Sequence, residues 1–207
     1  MQPEDFKSFY NVSDDVYGRL VVYHKLLLKW QGAINLVSPK TVQESWSRHF
    51  ADSAQVIKRL PEVGDAQKTL VDLGSGAGFP GLVVGIMRPD FDTHLIESDE
   101  RKAQFLRTVS RETQANVTVH NERIERVEGL EPGFVSARAL SDLSGLLGHC
   151  AGWSEFNADL KMLFLKGRSY EEELAEARTL YDFECEEFVS ETSSESRLLF
   201  ISNLIAR

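Results

Sequence analysis

The residues whose types and spacing could do chemistry begin at Asp72. In the run Thr69–Leu82, TLVDLGSGAGFPGL, four glycines (Gly74, Gly76, Gly78 and Gly81) fall within eight residues. Pro80 stands just before an apolar helical pattern, Leu82, Val83, Val84, Ile86 and Met87. Glycines at such a turn let a backbone approach a ligand closely, and a helix starting there offers it unpaired N–H groups. Thr69–Leu73 is apolar, partly β-branched and bounded by turn residues, which predicts a buried strand. The whole run is a strand–loop–helix unit, with proline marking the helix start. A second acid, Glu97, closes the next short strand, Thr93–Ile96, 23 residues after Gly74. A carboxylate near that spacing accepts hydrogen bonds from ribose hydroxyls; the plainer alternative is a solvated acid at a strand end.

Two ligand classes could use this loop. Read from Gly76, G-A-G-F-P-G fits the dinucleotide fingerprint. Read from Asp72, D-L-G-S-G-A-G resembles the first motif of S-adenosylmethionine-dependent methyltransferases with the Rossmann-like fold. In that superfamily the glycines admit the amino-acid end of the cofactor and the acid helps organise the site. The second register is better placed, because a dinucleotide loop begins directly after its strand. Gly76 comes two residues after Gly74, and in the register starting at Gly74 the third glycine position holds Phe79.

The elements that must position these residues follow from periodicity. Asp14 to about Lys29 carries Val16, Leu20, Tyr23 and Leu27, then Trp30, at helical spacing, with Ser13 as N-cap. Pro39 opens a further helix, Ser45–Leu60 reads as another, and Pro61–Lys68 is a polar link. Residues 1–60 are thus expected to be a helical extension, and 61–207 a Rossmann-like α/β domain, the two forming one compact unit. Further strands are expected at Asn116–His120, Gly133–Ala137 and Leu160–Leu165, with helices at Asp99–Thr113, Leu143–Cys150 and Glu171–Leu180. Phe183–Val189 and Arg197–Leu204 form a terminal antiparallel pair. This alternation predicts a mostly parallel sheet with helices on both faces. Ligands in such sheets sit at the carboxyl ends of the strands, where Gly74, Glu97, Asn121–Glu125, Arg138 and Lys166 fall.

A chain of 207 residues with 42% hydrophobic content suits one well-buried α/β domain with an appendage. There is no apolar run of membrane-spanning length and no signal pattern at the N-terminus, so the reading is a cytoplasmic protein with no membrane partner. Cys150 and Cys185 and the five histidines form no metal-ligand spacing, and no metal is expected. The net charge of −9 speaks against a nucleic-acid partner, but ten acids and a single base, Arg178, lie between Glu171 and Glu195. Elsewhere basic residues gather: Lys25 and Lys29; Arg48, Lys58 and Arg59; Arg101, Lys102, Arg107 and Arg111; Lys166 and Arg168. Such clusters permit an RNA footprint, or are solvated helix faces.

Taken together, these segments resemble the bacterial ribosomal small-subunit methyltransferase G family, also called glucose-inhibited division protein B. The residues that carry the resemblance are Trp30 with Asn35-Leu36; Arg48-His49 with Asp52-Ser53; Asp72–Gly81; Glu97-Ser98 followed by Lys102, Phe105 and Leu106; Arg123 and Glu125; Arg138-Ala139; and Lys166-Gly167. They cover nearly the whole chain in the family's order. The FPG ending of the loop and the RHxxDS segment are far more specific than the glycines alone. Ala137 stands where the family often has Ser, and the C-terminus lacks the usual basic ending. The resemblance implies methyl transfer from S-adenosylmethionine to guanine N7 in 16S ribosomal RNA, in the 30S subunit or a precursor. It implies cofactor contacts at Gly74, Phe79, Ile124, Glu125 and Arg138, beside Gly76 and Glu97 from the loop and strand reading. Arg138 is the candidate for orienting substrate or bracing cofactor; no general base is required. Arg48, His49 and Asp52 are either RNA contacts or a polar network bracing the helices. The competing functions are a nicotinamide-dependent oxidoreductase and a non-catalytic ribosome-binding protein.

Overall fold

The computed structural model describes residues 1–62 and 69–207. Of the polar link expected at Pro61–Lys68, residues 63–68 lie outside the described residues. Strands β1 (Thr69–Leu73), β2 (Asp92–Ile96), β3 (Val117–His120), β4 (Phe134–Arg138) and β5 (Lys161–Lys166) run parallel. β7 (Ser193–Ala206) lies antiparallel on β5, and β6 (Tyr181–Ser190) antiparallel on β7. The sheet order is β3-β2-β1-β4-β5-β7-β6. The order in which strands are added to the sheet reverses between β1 and β4, which opens a crevice at their carboxyl ends.

Helices cover both faces. Val71, Leu73, Val135, Ala137, Met162 and Phe164 share a core with α6 (Leu143–Phe156) and α7 (Tyr170–Leu180). On the other face Phe6 of α1 (Pro3–Phe9) and Leu20, Tyr23 and Leu27 of α2 (Asp14–Gln31) meet Leu82 and Ile86 of α4 (Gly81–Met87). Phe105 of α5 (Glu100–Thr113) joins the same core, so the first helices seal the sheet layer that carries the glycine loop. Ser13 caps α2, its hydroxyl accepting the Val16 N–H at 3.3 Å, and Asp99 and Asp142 cap α5 and α6.

Three expectations need correction. Ser45–Leu60 is not one helix but a π turn (Trp46–Ala51), the short α3 (Asp52–Ala54) and a 3₁₀ turn (Gln55–Arg59). Its register answers to aromatic packing: Trp46 stacks on Phe50 at 4.5 Å, and Phe50 meets Tyr23 at 5.0 Å and Phe79 at 5.2 Å. The helix expected at Leu143–Cys150 continues to Phe156, with Trp153 still packed on the core. Pro80 is the residue before α4 rather than its first member.

Tyr23 ties the helical layer to the loop: its ring stacks on Phe79 at 5.3 Å and its hydroxyl donates to the Ala77 carbonyl at 2.5 Å. Tyr23→Phe strands that carbonyl in a buried site and should cost about 1–2 kcal/mol of stability, read from urea unfolding. An unchanged unfolding midpoint would show that the bond contributes nothing net.

Candidate functional site

The loop leaving β1 turns through Gly74, Gly76 and Gly78, with φ of +59°, +56° and +91°. At Gly74 any side chain would also collide with Leu140, whose Cδ1 lies 2.4 Å from where a Cβ would stand. The loop is fastened by its own amides. Ser75 N–H donates to the Ile96 carbonyl at 3.0 Å, and Gly76 N–H to Glu97 Oε2 at 2.8 Å. The other oxygen of Glu97 accepts the Asp99 N–H at 2.7 Å, so this carboxylate, only 7% exposed, clamps the loop to the start of α5. Each of its oxygens keeps further lone-pair capacity on the cleft side.

Asp72 works beneath the loop, not in the cleft. Ser136 donates to its Oδ1 at 2.7 Å and the Gly81 N–H faces the carboxylate, which burial pushes up to a pKa of about 6. Leu82 N–H is spent on the Gly78 carbonyl at 2.8 Å. That amide of α4 therefore serves the fold rather than a ligand.

All seven residues proposed for the cofactor come together. Gly74, Gly76, Phe79, Glu97, Ile124, Glu125 and Arg138 line one cleft of about 480 Å³ at the mouth of the sheet. Ile124 rests against the α6–α7 core, while the Glu125 carboxylate is largely exposed, 3.8 Å from His149 Nδ1. A second cleft of about 720 Å³ lies beyond a wall made of Leu36, Arg138, Ala139 and Leu140, which line both. Lys166 belongs to this second cleft, buried and held by Glu173 at 2.5 Å and by the Ser141 carbonyl at 2.8 Å. Leu140, His149 and Tyr23 were not foreseen as part of the site. Leu140 was legible only as the second residue past the strand-end Arg138.

Arg138 is the best-braced group in the wall. Its guanidinium lies 5.0 Å over the Phe79 ring and donates to the Arg48 carbonyl at 3.2 Å and to Asp52 Oδ2 at 3.3 Å. Asp52 Oδ1 accepts from Gln55 at 2.9 Å, Thr192 at 3.0 Å and Ser190 at 3.3 Å. His49 stacks on Phe79 at 5.3 Å and its Nε2 meets Thr41 Oγ1 at 2.9 Å. The Thr41 hydroxyl already donates to the Ser38 carbonyl, which assigns the His49 proton to Nε2. Burial, with the positive charges of Arg138 and Arg48, pushes the His49 pKa down to about 3. His49 and Asp52 are thus members of a bracing network, whereas the Arg48 side chain is exposed. Among the described residues no cluster of three or more His, Cys, Asp or Glu side chains is arranged to hold a metal, and no helix is long and apolar enough to cross a membrane.

The sequence pattern of the rRNA small subunit methyltransferase G family matches residues 17–200. The chain belongs to that family. A Rhodospirillum centenum protein named ribosomal RNA small subunit methyltransferase G is 47% identical over 203 residues, covering 98% of this chain and 91% of its own. A Rhizobium johnstonii protein of the same name is 43% identical over 198 residues, covering 93% and 95%. Among solved structures, a mutant of MtNAS in complex with S-adenosylmethionine is similar at a TM-score of 0.60 and 11% identity, over 98% of this chain and 84% of that one. A precorrin-6y C5,15-methyltransferase from Geobacter metallireducens is similar at 0.51 and 13%, over 81% and 90%. At these identities the likeness concerns the fold. Family membership sets aside the oxidoreductase reading of the glycine loop.

His49 and Asp72 bend the pH dependence of stability in opposite directions. The His49 pKa is depressed in the fold, so its contribution is present above pH 6.5 and is lost as pH falls toward 3. The Asp72 pKa is raised, so its contribution is full below about 3.8 and is lost as pH rises through 6. His49→Gln, which keeps a donor toward Thr41, should flatten the acid-side loss by up to about 1.4 kcal/mol per pH unit below pH 6.5. Denaturant unfolding at a series of pH values checks this; parallel wild-type and variant curves would contradict it.

Proposed function

We propose that this chain transfers a methyl group from S-adenosylmethionine to N7 of a guanine in 16S ribosomal RNA, within the small subunit or its precursor. The family supports ribosomal RNA methylation, and the observation that carries the reading is the cleft itself. A thin glycine cradle, a buried carboxylate with spare acceptor capacity and an apolar Ile124 wall meet at the point where strand order reverses. Its volume of about 480 Å³ lies within the range of small-molecule sites.

The residues fit the cofactor's chemistry part by part. Glu97 would accept the ribose hydroxyls, Ile124 and Glu125 would flank the adenine, and Gly74, Gly76 and Phe79 would border the amino-acid end. When bound, the cofactor supplies an electrophilic methyl group on a sulfonium. The chain's task is then placement. Guanine N7 is an acceptor with an in-plane lone pair and no proton, so no side chain has to act as general base. What is required is alignment of the nitrogen with the methyl group, which a rigid wall provides. Arg138, fixed by Asp52 and the Arg48 carbonyl, is built to hold a position. It braces the cofactor or donates to guanine O6, and leaves N7 free. His49 stays neutral across the working range and its proton is committed to Thr41.

Single-turnover transfer from labelled S-adenosylmethionine to 30S particles, with the modified base mapped, tests the reading. The rate should be nearly flat from about pH 6.5 to 8.5, since no catalytic group must titrate. A tenfold rise per pH unit in the chemical step would mean that a proton is removed, and the mechanism would be wrong. Independently, Glu97→Ala should weaken adenosylhomocysteine binding by about 1.5–3 kcal/mol by calorimetry. A change below about twofold in affinity, under 0.5 kcal/mol, would leave Glu97 a purely structural clamp.

A further inference from the structure

The second cleft carries an imbalance that the fold does not use. Four cations line it, Arg48, Arg138, Lys166 and Arg197, against three acids, Asp52, Asp142 and Glu173, in a chain of net charge −9. Two of the cations are neutralised locally: Arg138 by Asp52 and Lys166 by Glu173. Both oxygens of Glu173 are engaged, Oε2 by Lys166 and the Leu143 N–H and Oε1 by Ser169, and Asp142 caps α6 through the Gly145 N–H. Arg48 and Arg197 have no carboxylate within ion-pair distance among the described residues. The Arg48 guanidinium is exposed. That of Arg197 is aimed by two backbone carbonyls, Ser194 at 2.8 Å and Ser196 at 3.0 Å, and by the Tyr170 ring at 4.9 Å. A guanidinium held in place and left without a counter-charge is matched by a phosphate, which it grips through paired N–H donors.

We infer that this cleft takes one unstacked nucleotide of the RNA substrate, with Arg48 and Arg197 gripping the phosphates beside it. The inference rests on the methyltransferase reading above and adds to it where the substrate sits and what holds it. The cleft is large enough for a nucleotide, and Leu36, Val37 and Leu165 give it an apolar lining for a base. Its shared wall with the cofactor cleft, at Arg138, Ala139 and Leu140, is where a base edge would meet the methyl group. A base enters such a pocket only after leaving its stack, and phosphate contacts made alongside offset that cost.

The test is the salt dependence of binding to 30S particles, measured with adenosylhomocysteine present. Each phosphate contact contributes roughly 0.7–0.9 to the slope of log affinity against log salt. Arg48→Gln and Arg197→Gln should each lower the slope by about that amount and weaken binding about tenfold at low salt. Arg48→Lys and Arg197→Lys, which keep the charge, should hold the slope near wild type. Arg168→Gln, an exposed cation already paired with Glu195 outside the cleft, should leave it unchanged. Unaltered adenosylhomocysteine affinity shows that each variant is folded. If wild type methylates the 30S guanine but neither glutamine variant changes the slope, this inference is overturned and the methyltransferase reading stands. If wild type transfers no methyl group to 30S particles, the methyltransferase reading itself fails and takes the inference with it.

Discussion

Three glycines at positive φ between residues 74 and 78 make a loop with almost no side chains to pack, so its shape must be imposed from outside. Hydrogen bonds from other elements do this. The Ile96 carbonyl takes the Ser75 amide, Glu97 takes the Gly76 amide, and Tyr23 takes hold of the Ala77 carbonyl. They come from the end of the second strand and from the first long helix. The open cradle is therefore a product of the whole molecule, and the N-terminal helices are part of it through Tyr23. Ordering a glycine-rich segment costs more entropy than ordering any other, which is why the fastenings sit in buried positions where each hydrogen bond is hard to replace with water.

The wall between the clefts follows the same logic with charges. Asp52 gathers hydroxyls from the β6–β7 turn and the guanidinium from the end of β4, so three distant parts of the chain meet on one carboxylate. The side chains of the Arg138–Asp52 pair are 17% and 16% exposed. At that burial, removing one partner leaves a desolvated charge behind and costs far more than an exposed pair would. His49 is kept neutral beside this pair first by its burial, and further because a positive charge there would lie against Arg138 and Arg48.

Much of this was legible in the residues. The glycine spacing, Glu97 at the end of the second strand and the alternation of apolar runs located the cleft, because local backbone chemistry and strand period do not depend on distant contacts. Harder to read were features decided by tertiary packing. The π turn at Trp46–Ala51 answers to Phe79 and Tyr23, which are remote in sequence. The apolar pattern of α2 showed that Tyr23 faces the core but not that its hydroxyl reaches a loop 54 residues away. Nor does a charge count distinguish Lys166, buried against Glu173, from Arg48, which is exposed. At the start of α4 the residue pattern shows the turn but not that the Leu82 amide is taken by the Gly78 carbonyl.

Ala139, with φ of +54°, is an alanine in the left-handed region, placed between Arg138 and Leu140. Together with Leu36, these three residues line both clefts. The two clefts share one set of side chains there, so any coupling between their occupants is mutual. Whatever factor one occupant changes the affinity of the other by, the second returns to the first. A substitution at Arg138, Ala139, Leu140 or Leu36 therefore alters the lining of both clefts at once.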